Sequence, residues 1–186
     1  MFDHFNLLAP IYDKVIQPKP PTRLTQILDL NPEVILLDVG GGTGRISQFY
    51  SKVVNQVIIA DTSFKMLQKA QDKKHLAGVN AASELLPFKS DMFDRVLMVD
   101  ALHHVIDQSI SARELWRVLK PGGIIVIEEP NINKNAVKLV ALAEKITLMR
   151  SHFLSGEKIQ NLFSTFTDQT EIEKEDHYVW VKITKE

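Results

Sequence analysis

Val34-Ile35-Leu36-Leu37-Asp38-Val39-Gly40-Gly41-Gly42-Thr43-Gly44 is the stretch on which the fold turns. Its first half is β-branched and apolar on both faces, the pattern of a strand buried in the middle of a parallel sheet. Its second half is a glycine loop, which allows tight turning and close approach of the backbone to a ligand. A strand that runs into such a loop and then into a helix presents unpaired N–H groups to a nucleotide-like molecule. The dinucleotide fingerprint G-x-G-x-x-G, started at Gly40, would need its third glycine where Arg45 stands. The spacing is instead Gly40-x-Gly42-x-Gly44, preceded by Asp38.

On either side of this stretch, strands and helices alternate. A second strand, Gln56-Val57-Ile58-Ile59-Ala60, ends at Asp61, about twenty residues past the loop, where an acid can accept hydrogen bonds from ribose hydroxyls. Ser63 can cap a helix over 64–74. A helix is expected over 45–52 and a weak third strand over 79–82. A fourth strand, 95–99, ends at Asp100. Ser111 and Glu114 have the spacing of a capping box, inside or at the start of a helix reaching Leu119. Pro121-Gly122-Gly123 reads as a turn into a fifth strand, 124–127. Helices over 135–149 and 157–163 follow, and two short strands, 170–174 and 178–183, close the chain. Upstream, a helix over 22–30 follows a proline linker. The segment before it is apolar and aromatic on one side, with Phe2, Phe5, Leu8, Ile11, Tyr12 and Val15. Alternation of this kind argues for an α/β sandwich on a largely parallel sheet.

Composition narrows the function classes. The chain has 186 residues, which suits one domain, with 45% hydrophobic and 24% charged residues, as in ordinary globular proteins. A formal net charge of −1 gives no general attraction to nucleic acid or an anionic membrane. The absence of cysteine removes disulfides, thiolate metal sites and cysteine nucleophiles. The six histidines form no metal-ligand spacing, so no metal is expected. No signal peptide or membrane-spanning run is read, and a cytoplasmic location is expected.

The motifs, taken together, resemble the class I S-adenosylmethionine-dependent methyltransferases, in particular the small branch that includes ubiquinone and menaquinone C-methyltransferases. The likeness is carried by Leu37–Gly44, by Ile59-Ala60-Asp61-Thr62-Ser63-Phe64-Lys65-Met66-Leu67, and by Ser83-Glu84-Leu85-Leu86-Pro87-Phe88 with Phe93-Asp94-Arg95-Val96. Ala101-Leu102-His103-His104-Val105 and Leu115-Trp116-Arg117-Val118-Leu119-Lys120-Pro121-Gly122-Gly123 complete the series. It implies a Rossmann-like three-layer sandwich whose seven-stranded sheet is mostly parallel with an antiparallel C-terminal strand. Residues 1–186 would form a single methyltransferase domain, with 1–30 as an N-terminal helical cover of the active site.

The implied cofactor is S-adenosylmethionine, leaving as S-adenosylhomocysteine. Its expected contacts are Asp38, Gly40, Gly42, Gly44, Asp61, Thr62, Met66, Ser83, Glu84 and Asp100. Asp38 would either contact the methionine end or brace the loop, and Asp100 would either touch the cofactor or cap a helix. The family has an acid where this chain has Ala82, so the adenine contact passes to Glu84, to the Ser83 hydroxyl, or to backbone groups with Thr62 and Met66. His103, His104 and Tyr12 are the candidates for catalytic groups, and Glu128 and Glu129 face a choice between substrate binding and solvation. A sulfonium loses its methyl to leave a neutral thioether, so a base is needed only if the acceptor must lose a proton.

The expected acceptor is a small, partly apolar molecule. It would be walled by the N-terminal helices with Phe5 and Tyr12, the His103–His104 loop, residues 129–133, and Leu139 or Leu142. Two rivals stay open: an S-adenosylmethionine-binding regulator without catalysis, and an NAD-type oxidoreductase. Turnover on a broad acceptor panel separates the first, and stabilisation by S-adenosylhomocysteine rather than NAD separates the second.

Overall fold

The apolar runs form the middle of a seven-stranded sheet. The computed structural model describes residues 20–132, 134 and 151–186. The strands are β1 (Ile35–Val39), β2 (Gln56–Asp61), β3 (Leu76–Asn80), β4 (Phe93–Val99), β5 (Leu119–Pro130), β6 (Thr170–Glu175) and β7 (Tyr178–Thr184), in the order β3-β2-β1-β4-β5-β7-β6. β1 to β5 pair in parallel, and β7 runs antiparallel to both β5 and β6. The expected mostly parallel sheet with one antiparallel C-terminal strand is therefore observed. The carboxyl ends of β1, β2 and β4, where the order reverses, fall at one edge of the sheet.

Alternation of side chains divides the core between the two faces. One face carries Leu37, Val39, Val96, Met98, Ile125, Ile127 and Val181 beneath α3 (Gln108–Val118) and α4 (Gly156–Phe163). The other carries Leu36, Val57, Ile59, Leu97, Val126 and Trp180 beneath α1 (Thr22–Leu28), Tyr50 and α2 (Phe64–Gln71). Burying each Leu, Ile or Val adds about 1.5–3 kcal/mol, most of it offset by lost chain entropy. Truncating the fully buried Leu37 to alanine would cost about 2–5 kcal/mol.

Arg95 sits in β4 where an apolar residue would be expected. Its guanidinium donates to the Leu28 carbonyl (2.6 Å), the Asp29 carbonyl (3.0 Å) and the Asp94 carbonyl (2.9 Å). It thereby satisfies the open C-terminus of α1 and fixes that helix on the sheet.

Three local expectations are corrected. Residues 45–52 form no α-helix, only a 3-10 turn (Ser47–Phe49) among further turns. β-branched and aromatic residues are poor helix formers, and Ser51 and Gln48 return side-chain bonds to the backbone. The cap of α3 is Asp107, which accepts from the N–H groups of Ser109 and Ile110, so Ser111 and Glu114 make no capping box. Ser111 lies inside the helix against Ser83, and Glu114 binds Arg117. Pro121–Gly123 is a bulge inside the twelve-residue β5, not a turn before it: the pairing with β4 jumps from Phe93↔Leu119 to Arg95↔Ile124. The third strand lies slightly earlier than expected, at the half-exposed sheet edge where apolar patterning is weakest. Residues 1–19 and the expected helix over 135–149, with Phe5, Tyr12, Leu139 and Leu142, lie outside the described residues.

Candidate active site

The glycine loop turns sharply off β1. Gly40 and Gly42 have φ of 73° and 55°, a left-handed conformation costly for any residue with a Cβ. They differ in surroundings. A Cβ on Gly40 would lie 2.5 Å from the Ala101 Cβ, because the loop passes against the end of β4. A Cβ on Gly42 would meet only the Asp61 carboxylate, at 3.8 Å, so this glycine opens onto free space. Gly44 packs tightly on Ile59 and Leu76. Asp61 ties the loop to β2: its Oδ2 accepts from the Gly42 N–H (2.8 Å) and its Oδ1 from the Ser63 N–H (2.7 Å).

Asp38 lies at the foot of the loop, only 2% exposed. Its Oδ2 accepts from the Ser47 hydroxyl at 2.5 Å, while its Oδ1 has no hydrogen-bond partner among the described residues. Burial pushes the carboxyl up to about 6; the Ser47 bond opposes this, nearby Asp61 adds to it, and Arg45 opposes it. An orphaned buried carboxylate oxygen favours a cationic donor. With the open cradle above Gly42 and the Asp61 rim, the residues fit a ligand that is cationic at one end and carries ribose at the other. Asp38 therefore both braces, through Ser47, and offers a contact. Sequence reasoning missed Ser47, since nothing in its spacing marks it.

Arg45 fills the position denied to glycine. It reaches across the strand ends to Asp100, with 3.5 Å between Nη2 and Oδ2. Asp100 itself is left-handed (φ 51°), and its N–H donates to the Glu128 carbonyl at 3.0 Å. Asp38, the glycine loop, Asp61 and Asp100 are thus brought to one edge.

Of the residues expected to flank adenine, Thr62 is exposed and Met66 buried, its N–H capped by Ser63. Asn80 holds the Asp61 and Thr62 carbonyls, each at 2.9 Å. Ser83 bonds Ser111 at 2.8 Å and also donates to Glu84. Glu84 accepts from the N–H groups of Ile106 (3.0 Å) and Asp107 (3.2 Å). These two side chains are engaged in fixing the start of α3, beside the half-buried Ala82.

The histidine pair sits deeper than a sequence can show. His103 is 4% exposed, with Nδ1 2.5 Å from Glu129 Oε2 and its ring stacked on Phe153 at 4.2 Å. Glu129, 1% exposed, also accepts from the N–H groups of Ala101 (3.1 Å) and Leu102 (2.8 Å). It is neither a solvated residue nor an exposed substrate ligand: it anchors the 101–104 loop. Burial, with His103 alongside, pushes His104 down to about 3, so its imidazole is neutral at physiological pH. Its Nδ1 lies 3.3 Å from the Ser151 hydroxyl.

Comparison with known proteins follows the same lines. Residues 37–127 match the family model described as a methyltransferase domain. The ubiquinone/menaquinone biosynthesis C-methyltransferases of Vibrio vulnificus and of Marinomonas sp. are each 38% identical over 104 residues, half of this chain. The chain spans only about two fifths of their length, 40% and 41%. A Thermotoga maritima S-adenosylmethionine-dependent methyltransferase, described as a possible histamine N-methyltransferase, superposes with a TM-score of 0.80 at 20% identity, covering 98% of both chains. The [4+2]-cyclase SpnF superposes at 0.71 with 18% identity, over 92% of this chain and 72% of its own. Structural likeness at these identities speaks to the fold alone. With the motifs in order and the sheet in the expected topology, residues 37–127 of the chain carry a methyltransferase domain, similar to that of the C-methyltransferases it matches.

Proposed function

We propose that this chain binds S-adenosylmethionine across the glycine loop and transfers its methyl group in line to a small, partly apolar acceptor at the carboxyl edge of the sheet. The observation that carries the reading is the buried Oδ1 of Asp38 at the foot of the open loop, which has no hydrogen-bond partner among the described residues. In this reading Asp38 receives the cationic methionine end and Asp61 the ribose hydroxyls. Thr62 and Met66 flank the adenine, and Asp100 borders the reacting end. When bound, the sulfonium supplies an activated methyl and a neutral leaving group, so the protein's task is alignment and exclusion of water. Residues 1–30 would cover the site within a single domain, and the protein would work in the cytoplasm.

The test is a melting curve followed by turnover. S-adenosylhomocysteine should raise the melting temperature, whereas NAD should leave it unchanged. Radiolabelled S-adenosylmethionine incubated with cell extract should then yield labelled small-molecule product. Stabilisation by NAD alone would overturn the cofactor assignment. Binding of S-adenosylhomocysteine without turnover on any acceptor would make the chain a regulator.

A further inference from the structure

Six strands deliver side chains to one edge, and those on the α1 face of β5, β6 and β7 form a second constellation beside the glycine loop. β5 runs parallel to β4, so Glu128 ends beside Asp100. β7 enters at the same edge, placing Trp180 opposite Glu128 and Tyr178 opposite Pro130. β6 leaves there, placing Glu173 opposite Trp180 and Glu175 opposite Tyr178. Paired residues share a face, so two aromatic rings stand in a row flanked by carboxylates on both sides. The rings of Tyr178 and Trp180 are 6.1 Å apart, and Tyr178 is 44% exposed.

This face borders a cleft of about 470 Å3 between α1 and the β6–β7 pair, lined by Thr22, Arg23, Gln26, Glu173, Glu175 and Trp180, with Lys174 at its margin. Trp180, 6% exposed, lines one side of the cleft, and its indole N–H donates to Oε2 of Glu128, the next residue across the sheet beyond the cleft lining. The other Glu128 oxygen has no partner among the described residues. The charges do not cancel. Arg23 pairs with Glu173, Arg45 with Asp100, and Lys174 points to the opposite face, to Glu157. Among the described residues Glu128 and Glu175 form no ion pair, and Arg45 acts on Glu128 only from a distance.

From this geometry we infer that the cleft and the Tyr178–Trp180 face form the acceptor subsite, and that its occupant is a cationic amine with an apolar body, whose nitrogen lies at Glu128. The inference rests on the methyl-transfer reading above and names its acceptor class. Aromatic faces attract ammonium groups through the ring quadrupole, and a carboxylate at the end of the row adds charge and a hydrogen bond. The amine must shed a proton before its lone pair is a nucleophile. Glu128 Oε1 takes that proton; the nitrogen lone pair then forms the N–C bond to the methyl while the C–S bond breaks and sulfur keeps the pair. The methylated nitrogen returns to its cationic form. Burial pushes Glu128 up to about 7; the Trp180 bond and Arg45 oppose this, while Asp100 and Glu129 add to it. A base so poised accepts a proton near neutral pH.

The experiment uses the full chain carrying Trp116→Phe, so that Trp180 alone reports, saturated with S-adenosylhomocysteine. It is titrated with 2-phenylethylamine, 2-phenylethanol and 3-phenylpropionate. The amine should bind roughly tenfold or more tightly than the alcohol, with the carboxylate weakest. Glu128→Gln should remove most of that preference while leaving S-adenosylhomocysteine affinity unchanged and without lowering the melting temperature, since it removes a buried carboxyl raised to about 7. Glu175→Gln should weaken the amine to a lesser degree. Equal binding of the alcohol or carboxylate, no amine binding, or an undiminished preference in Glu128→Gln would each overturn the acceptor assignment alone. Failure of the unsubstituted chain to bind S-adenosylhomocysteine would instead overturn the methyl-transfer reading and this inference with it.

Discussion

Substituting alanine separately at Gly40 and Gly42 should split folding from binding. Both positions have positive φ, so each alanine costs about 1–2 kcal/mol in backbone conformation. At Gly40 the new methyl lies 2.5 Å from the Ala101 Cβ, and neither atom is at the end of a flexible side chain. The backbone must shift, adding about 1–3 kcal/mol. The total, about 2–5 kcal/mol, should lower the melting temperature by about 4–20 °C in a domain of this size. At Gly42 the nearest atom to the methyl is 3.8 Å away, so only the conformational cost applies, and the melting temperature should fall by about 2–8 °C. The methyl at Gly42, however, enters the space assigned to the cofactor, and S-adenosylhomocysteine affinity should drop by about two orders of magnitude, equivalent to ~3 kcal/mol. Differential scanning fluorimetry and isothermal titration calorimetry on the two variants measure both quantities. Wild-type affinity in Gly42→Ala would refute the placement of the ligand over the loop.

Asp38→Asn should stabilise the cofactor-free protein above neutral pH, by about 3 kcal/mol at most, since the buried carboxyl titrates near 6 instead of 3.8. A folded-state pKa raised in this way means the native chain binds the proton more tightly. Wild-type stability therefore falls as pH climbs from about 4 through 6, and the advantage of the variant should vanish towards pH 4 in urea titrations. Glu129→Ala strands the Ala101 and Leu102 N–H groups and His103, and should cost about 3–5 kcal/mol by urea denaturation, with loss of protection of the 101–104 amides in hydrogen exchange. Asp107→Ala removes the cap of α3 and should cost about 1 kcal/mol in the same assay, without altering cofactor affinity.

The strands were readable because a central parallel strand must be apolar on both faces, and few other structures demand Val34–Val39 or Ile124–Ile127. The loop was readable because only glycine suits left-handed turns pressed against β4. The turn after the loop was not. Ile46, Phe49, Tyr50 and Val53 recur at helical spacing, yet Ile46, Phe49 and Tyr50 pack with Val54 on one side of a tightly turned segment whose Ser47 is committed to Asp38, and Val53 faces solvent. The false capping box had the same origin: Ser111 and Glu114 have the spacing, but their partners, Ser83 and Arg117, come from tertiary structure and the next helical turn. Asp107, four residues earlier, is the residue with non-helical backbone and a carboxylate over the first N–H groups. In the site, Asp38, Asp61 and Asp100 could be placed because each ends or nearly ends a strand. Arg45, Ser47 and Trp180 could not, since their partners lie on other strands or turns. The alternation of Tyr178, Trp180 and Lys182 would have put the two aromatics on one face, but only the sheet order sets Glu128 beside them.

Glu128 and Glu129 are chemically alike and adjacent, yet the pleat of β5 sends them to opposite sides of the sheet, one to Trp180 and the other to His103. A single dipeptide thus serves two masters that never meet. Exchanging the first carboxylate retunes what the cleft accepts while the loop over the second stays in register, so new specificity can arise at this position without risk to the scaffold. The arrangement has a matching vulnerability. Deleting one residue between the Gly122 bulge and Glu128 would move Glu129 to the cleft side and set Pro130 in its place, leaving the Ala101 and Leu102 N–H groups and His103 without their acceptor. The bulge upstream gives β5 a place to absorb length changes before they reach that pair.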